Sequence, residues 1–246
     1  MIKKILLLTV LLLIIAYLVI ALTNFNSKPE NQVCRKLGLV IKDSVNAGLI
    51  THDEIASVLK RKGLYPVGKK MDDIRTKALE RQLNKHPLIE DAECYKTPGG
   101  AVCVEIKQRL PILRVMSNNG DDYYVDNKGK VMPPLPGYVV HLAIVTGNVD
   151  KRLVTKELYK FGIFLQNNEF WNAQIEQINI TPDKEIELVP RVGDHLVFLG
   201  KLDNFEERLD KLKTFYGEAL NEVGWNKYTR ISLEFNNQII CTKKEN

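Results

Sequence analysis

Apolar side chains run from Ile5 to Leu22 without a charge, interrupted only by the polar atoms of Thr9 and Tyr17. About 20 apolar residues in a helix cover the ~30 Å hydrocarbon layer of a membrane, so this run predicts one transmembrane helix over 5–22. A cleaved secretory signal is the other reading of a lysine-led apolar stretch, but its apolar part spans only about 7–15 residues before a small-x-small site. The run here is longer, and Ala21-Leu22-Thr23 fits such a site poorly, so an uncleaved anchor is expected. Lys3 and Lys4 precede the run, while Asn24, Asn26 and Ser27 follow it before Lys28. The preference of Lys and Arg for the cytoplasmic side makes 1–4 a cytoplasmic stub. It sends the bulk of the chain outward, to the periplasm of a bacterium or the cell exterior. Residues 23–32, polar and carrying Pro29, read as a linker.

From Val33 the spacing of apolar positions changes by segment. Val33 to Ile41 alternates loosely, as a half-buried strand does. Thr51-His52-Asp53-Glu54 fits a capping box, after which Ile55, Val58 and Leu59 share a helical face and Gly63 closes the helix. A second helix is expected from about Asp72 to Asn84, with Ile74, Ala78 and Leu79 as its stripe. His86-Pro87 stops it, because a residue before proline avoids the helical region. Thr97-Pro98-Gly99-Gly100-Ala101 suits a hairpin turn with Gly100 left-handed. A three-residue loop puts Ala92 and Cys94 on one face with Val102, Val104 and Ile106, and turns Cys103 away. A two-residue loop would set Cys94 opposite Cys103 and allow a disulfide; the shared apolar face favours the first register.

Beyond Pro111 short strands dominate. They are expected at Ile112–Met116 and Asp122–Val125, with Asp126-Asn127-Lys128-Gly129 as a turn and the proline-rich 132–137 as a loop. Asp150 caps a helix carrying Val154, Leu158, Phe161 and Leu165. Strands follow at Ile175–Ile180, Glu185–Val189 and His195–Leu199. Asp203 and Glu206 then suit the start of a helix burying Phe205, Leu209, Leu212, Phe215 and Leu220. Ile231, Leu233 and Phe235 alternate, Asn236-Asn237 turns, and Gln238 to Thr242 returns as a terminal strand. The fold class is α+β: a transmembrane helix, a βααββ domain over 33–109, and a mainly antiparallel β domain with two helices over 110–246.

Composition adds exclusions. The 35 basic and 30 acidic residues give a net charge of +5, spread over the chain without the basic stripe of a nucleic-acid binder. Cys34, Cys94, Cys103 and Cys241 form no CxxC pair, and His52, His86, His141 and His195 are scattered. No zinc motif emerges, and neither a metal nor a cofactor is expected. GxSxG, HExxH, GxxxxGK[ST] and GxGxxG are all missing. A glycosidase needs only two carboxylates, which keeps a wall-directed hydrolase as an alternative. Asp121-Asp122 and Glu206-Glu207 nevertheless read as solvated loop and helix-start charges, and an enzyme is not expected.

His86-Pro87-Leu88-Ile89-Glu90-Asp91-Ala92-Glu93-Cys94, the Pro98-Gly99 hairpin and Val104-Glu105-Ile106-Lys107-Gln108-Arg109-Leu110-Pro111-Ile112 together resemble the FtsQ/DivIB cell-division family. The strand-helix-helix-strand-strand order behind one span resembles its POTRA (polypeptide-transport-associated) module. Asp126-Asn127-Lys128-Gly129-Lys130-Val131 is similar to the Asp-x-x-Gly turn of that family's β domain, and Ile231-Ser232-Leu233-Glu234-Phe235-Asn236-Asn237 to its closing strand and hairpin. The chain departs from the family in Gln108, where Glu is usual, and in its short cytoplasmic stub.

The resemblance implies a non-catalytic inner-membrane scaffold at the division septum, linking early and late division proteins. Its POTRA-like module would contact other division components, and its last strand would capture an FtsB-like and FtsL-like pair of single-span proteins by strand pairing. Another membrane-anchored POTRA or β-rich interaction module is the runner-up. A terminal strand readily becomes a sheet edge with unpaired amides, open to strand addition. On this reading Phe235, Asn237, Ile239, Ile240, Cys241, Thr242 and Lys243 form the partner site, with Lys243 and Lys244 drawing acidic side chains. A two-residue Asn236-Asn237 turn would pair Ile240 with Leu233 toward the core and leave Ile239 and Cys241 outward. A sheet packed on both faces is the other reading.

Overall fold

The computed structural model describes residues 2–26, 32–42, 49–135, 141–235 and 237–245. Helix α1 covers Ile2–Asn26 and so overruns both ends of the expected span. The first four residues expected as a linker are helical because no proline or glycine stands before Pro29 to stop propagation; 27–31 lie outside the described residues. Side chains of α1 are described from Thr9 to Ala21, and all of them are exposed. Among the described residues, no helix is long and apolar enough to cross a membrane.

The chain divides into two compact units. The first comprises Met1–Lys42, His52–Lys85 and Asp91–Ile106. Strand β1 (Lys36–Ile41), helices α2 (His52–Arg61) and α3 (Thr76–Leu83), and strands β2 (Ile89–Lys96) and β3 (Ala101–Gln108) follow one another. The sheet order is β1-β3-β2, with β1 parallel to β3. The parallel pairing follows from the two helices between the strands, which carry the chain back to its starting edge. Val33 lies outside β1, meeting only Lys70 in an isolated bridge. The second helix starts later than Asp72: Met71–Asp73 is a 3₁₀ turn, and Ile74 is extended at φ −81° before α3 begins.

Two local details follow the sequence closely. Gly63 takes φ +68° after α2, and its amide and that of Leu64 bond back to the Lys60 and Leu59 carbonyls, a left-handed helix stop. In the β2–β3 turn Gly100 has φ +76°, and Ala92, Cys94, Val102, Val104 and Ile106 are all buried while Cys103 is half-exposed. Cys94 and Cys103 therefore face opposite sides of the sheet, and all four cysteines are free.

The second unit comprises Asp43–Thr51, His86–Glu90 and Lys107–Asn246. Its strands are β4 (Pro111–Ser117), β5 (Asp122–Asp126), β6 (Val131–Met132), β7 (Ala143–Gly147), β8 (Ile175–Ile180), β9 (Ile186–Pro190), β10 (Leu196–Gly200), β11 (Tyr228–Ser232) and β12 (Ile240–Lys243). They form one sheet in the order β12-β11-β10-β9-β8-β7-β4-β5-β6. The sheet is mainly antiparallel, as expected, in β9–β10, β11–β12, β4–β5, β5–β6 and β8–β9, while β4–β7, β7–β8 and β10–β11 are parallel. Helical crossovers account for β7–β8 and β10–β11, whereas the chain reaches β7 from β4 through β5 and β6. Between β7 and β8 run α4 (Lys151–Leu153), a π segment Val154–Leu158, α5 (Tyr159–Asn167) and α6 (Glu169–Gln174). Between β10 and β11 run α7 (Phe205–Phe215), a second π segment and α8 (Asn221–Val223). Beyond the two helices expected from the spacing, the chain forms α6, which Asn168 starts by accepting from the Trp171 amide.

The core of this unit lies on the helix-bearing face of the sheet. Val154, Leu158, Phe161 and Leu165 are buried there as expected, with Trp171, Leu209, Leu212 and Leu220. Asp150 caps the first helical run by accepting from the Arg152 amide. Asp203 does not cap α7: Asn204 precedes the helix at φ 48° without a side-chain cap, and the Asp203 carboxylate instead accepts from Arg208 at 3.0 Å. A Cβ on Gly162 would lie 2.8 Å from Leu113 Cγ, so the glycine lets α5 approach β4 closely.

Candidate functional site: the terminal sheet edge

Strand β12 ends the nine-stranded sheet and pairs on one side only, with β11. Its register is Ser232 opposite Ile240, Ile231 opposite Cys241, Arg230 opposite Thr242 and Tyr228 opposite Lys243, with an irregularity between Tyr228 and Arg230. Leu233 lies just beyond the last laddered pair, and its amide donates to the Phe198 carbonyl of β10 at 2.9 Å. The pairing of Ile240 with Leu233 expected from the sequence is therefore off by one residue. A slip of one residue exchanges the faces of the strand. Ile239 and Cys241 pack against the core, and Ile240 is turned out and 44% exposed. The expected Asn236-Asn237 turn includes residue 236, outside the described residues.

The backbone direction is fixed by two contacts. The Lys244 amide donates to the Lys227 carbonyl at 3.0 Å, and the Thr229 hydroxyl donates to the Thr242 carbonyl at 3.4 Å. Main-chain polar groups alternate sides along a strand, so Ile240, Thr242 and Lys244 bond inward to β11. Cys241 and Lys243 present their amides and carbonyls to the open side.

Of the residues singled out from the sequence, Asn237, Ile239, Ile240, Cys241, Thr242 and Lys243 lie along this edge or the turn leading into it. Phe235, 48% exposed, stands before the turn. Asn237, Thr242 and Lys243 are exposed, whereas Ile239 and Cys241 are half-buried. Partial burial pushes the Cys241 thiol above its ordinary pKa, which keeps it protonated and weakly nucleophilic.

The register reveals neighbours that the sequence did not. Ile240, Ser232, Phe198 and Glu187 form one cross-strand row, and Thr242, Arg230 and Leu196 the next. The Arg230 guanidinium carbon lies over the Phe198 ring, 4.4 Å from its centroid, and Arg230 pairs with Glu187 at 2.7 Å. Nothing in the spacing of Arg230 distinguishes it from other surface arginines. Lys244 reaches Asp194 at 3.4 Å, so one of the two basic residues expected to attract acids has an internal partner.

Other chemistry-bearing groups stand apart. His195 is buried and its Nε2 lies 2.8 Å from the Tyr216 hydroxyl; burial pushes its pKa down, opposed by the Trp225 carbonyl and Asp194. Among the described residues, no group of three His, Cys, Asp or Glu side chains is placed to hold a metal.

Comparison with known proteins bears on most of the chain. The family described as "FtsQ/DivIB, C-terminal related" matches residues 110–242, and the POTRA-like domain matches residues 32–107. A cell division protein FtsQ from Rhodothermus marinus is 25% identical over 197 residues, covering 76% of this chain and 72% of the relative.

Proposed function

The chain belongs to the FtsQ/DivIB family, and from that membership we propose that it is a non-catalytic scaffold of the bacterial division machinery, working through protein–protein contacts. The observation that carries the reading is the unpaired outer side of β12, a ready template for one more strand. The proposed partner is an FtsB-like and FtsL-like pair of single-span proteins. One of their segments would pair with Cys241 and Lys243 through the backbone and meet Ile240, Thr242 and Phe235 through side chains. Residues 33–109 and 110–246 are proposed as the two working domains, the first contacting further division proteins.

The anchor is part of the same proposal. Lys3 and Lys4 lead an apolar run from Ile5 to Leu22, and the described part of that helix has exposed apolar side chains throughout. A helix hydrophobic all round belongs in a core or in a membrane. The positive charge at its start favours a cytoplasmic N-terminus with the rest of the chain in the periplasm.

The reading is tested by tagging the full-length chain in its own cell. Septal localisation and recovery of small single-span partners from detergent extracts are the expected results. A diffuse distribution with no such partner, or hydrolysis of peptidoglycan by the purified chain, would contradict it.

A further inference from the structure

We infer that a cavity of the second unit, bounded by the β8–β9 turn, the loop after β10 and the helical run from α4 to α5, docks an apolar side chain flanked by acidic residues on a partner protein. The cavity measures about 520 Å³. Leu153, Ile186, Leu202 and Phe205 line it with apolar surface. Phe205 is held in that wall by edge contacts with Phe161 and Phe164, ring centroids 5.0 and 5.2 Å away. Lys160, Lys184 and Lys201 also line the cavity, and all three are exposed. An apolar pocket with a few charged groups around it is the usual anatomy of a site for one anchoring side chain.

The backbone around this cavity is irregular in a way the fold does not require. Among the described residues, two that are not glycine take positive φ, and both border it: Lys184 at 65° and Asn204, between the lining Asp203 and Phe205, at 48°. A side chain is crowded in that conformation and glycine is not. The backbone bonds of the Thr181–Glu185 turn would form equally well with glycine at 184, so the lysine is explained by its side chain. Its Nζ donates to the Asn148 carbonyl at 2.9 Å, which leaves two of its three N–H groups for an incoming carboxylate. Buried Arg208 clamps the loop after β10, donating to the carbonyls of Leu199 and Lys201 at 2.6 Å and to the Asp203 carboxylate at 3.0 Å. That contact neutralises Asp203, and Glu157 is the remaining lining carboxylate against three lysines. Lysines on flexible stems form no rigid fork for a single phosphate. They suit carboxylates at several positions around an anchored apolar group.

None of these residues belongs to β12, so the inference and the claim about that edge can fail separately. The probe is a fluorescein-labelled peptide Glu-Glu-Leu-Phe-Glu-Glu, titrated against the full-length chain at low and high salt. It should bind, and bind more weakly as salt rises. A counterpart with Ser for Leu and Phe keeps the charges, and one with Lys for Glu keeps the anchor; each should bind about tenfold worse or weaker still. Lys160→Glu with Lys201→Glu, both at exposed positions, should lower affinity about tenfold with the circular dichroism unchanged. Lys184→Gly should weaken binding while the melting temperature stays at or above that of wild type, because the left-handed strain leaves with the side chain. Cys241→Pro should bind the peptide as wild type does. The inference is overturned if the peptide fails to bind wild type, if the anchorless peptide binds equally well, or if the double variant or Lys184→Gly binds as wild type does. Loss of the peptide in Cys241→Pro would place it on β12 and overturn the inference as well.

Discussion

Arg109 places a guanidinium nitrogen 2.6 Å from the Asp126 carboxylate, and Asp126 is 1% exposed. The other Asp126 oxygen accepts from the amides of Lys128 and Lys130 at 2.9 and 2.7 Å. One buried carboxylate therefore ties the segment after β3 to the β5–β6 turn, with Gly129 at φ +72° completing the bend. Removing one member of a buried pair strands the other charge, at a cost of about 3–5 kcal/mol. Asp126→Ala should lose stability on that scale in urea unfolding. Asp126→Asn, which keeps an acceptor for the two amides, should lose less; equal losses would show that the turn bonds contribute nothing.

Gly162 offers a test of close helix–sheet packing. Adding a methyl there pushes it into Leu113, and overfilling a packed core typically costs about 1–3 kcal/mol. Gly162→Ala should lower the unfolding midpoint accordingly, and a combined Gly162→Ala, Leu113→Ala variant should recover part of the loss. Without such recovery the contact is not the cause.

His195 makes the fold acid-sensitive. Its folded pKa lies below the ordinary 6.5 because burial penalises the charged ring. The unfolded chain therefore binds the extra proton first, and the stability that neutral His195 supports is lost as pH falls through 6.5 toward the folded value. The facing groups are Tyr216, the Trp225 carbonyl and Asp194. Melting temperature should fall between pH 7 and pH 5, and His195→Gln should flatten that slope. An unchanged slope in the variant assigns the acid sensitivity elsewhere.

The thiols separate by burial. Cys94 is pushed up to about 12, chiefly by desolvation and further by Glu80, while Cys103 is half-exposed on the opposite face of the first sheet. Native alkylation at pH 8, read by mass spectrometry, should label Cys103 well before Cys94. A Cys94–Cys103 disulfide in the purified chain would contradict the β2–β3 register.

Where local chemistry decides the structure, the sequence is readable. The Gly100 turn fixed which face of β2 and β3 is buried, and Val154, Leu158, Phe161 and Leu165 marked their helix by spacing alone. Strand β7, Ala143–Gly147, carries no turn signal of its own and owes its place to parallel neighbours on both sides, a relationship distant in sequence. The β12 register departs from the expected one for a similar reason. Leu233 alternates like a strand residue, but the pairing of β11 with β12 sets Ser232, not Leu233, opposite Ile240, which no apolar pattern within the last hairpin reveals. The candidate edge was legible as a terminal strand, whereas its outward side chains and the stacking of Arg230 on Phe198 depend on that long-range pairing.

The central claim is that the open side of β12 captures a partner strand through its backbone. Cys241→Pro removes an amide aimed at that open side, which an edge strand tolerates, whereas Thr242→Pro removes one aimed at β11. Binding of the FtsB–FtsL-like pair to the full-length chain, measured for both variants beside Lys62→Ala as a control on the first domain, tests this directly. The account predicts that Cys241→Pro abolishes binding with circular dichroism and melting temperature near wild type, that Thr242→Pro loosens the terminal hairpin itself, and that Lys62→Ala binds normally. Wild-type affinity in a folded Cys241→Pro variant would contradict it.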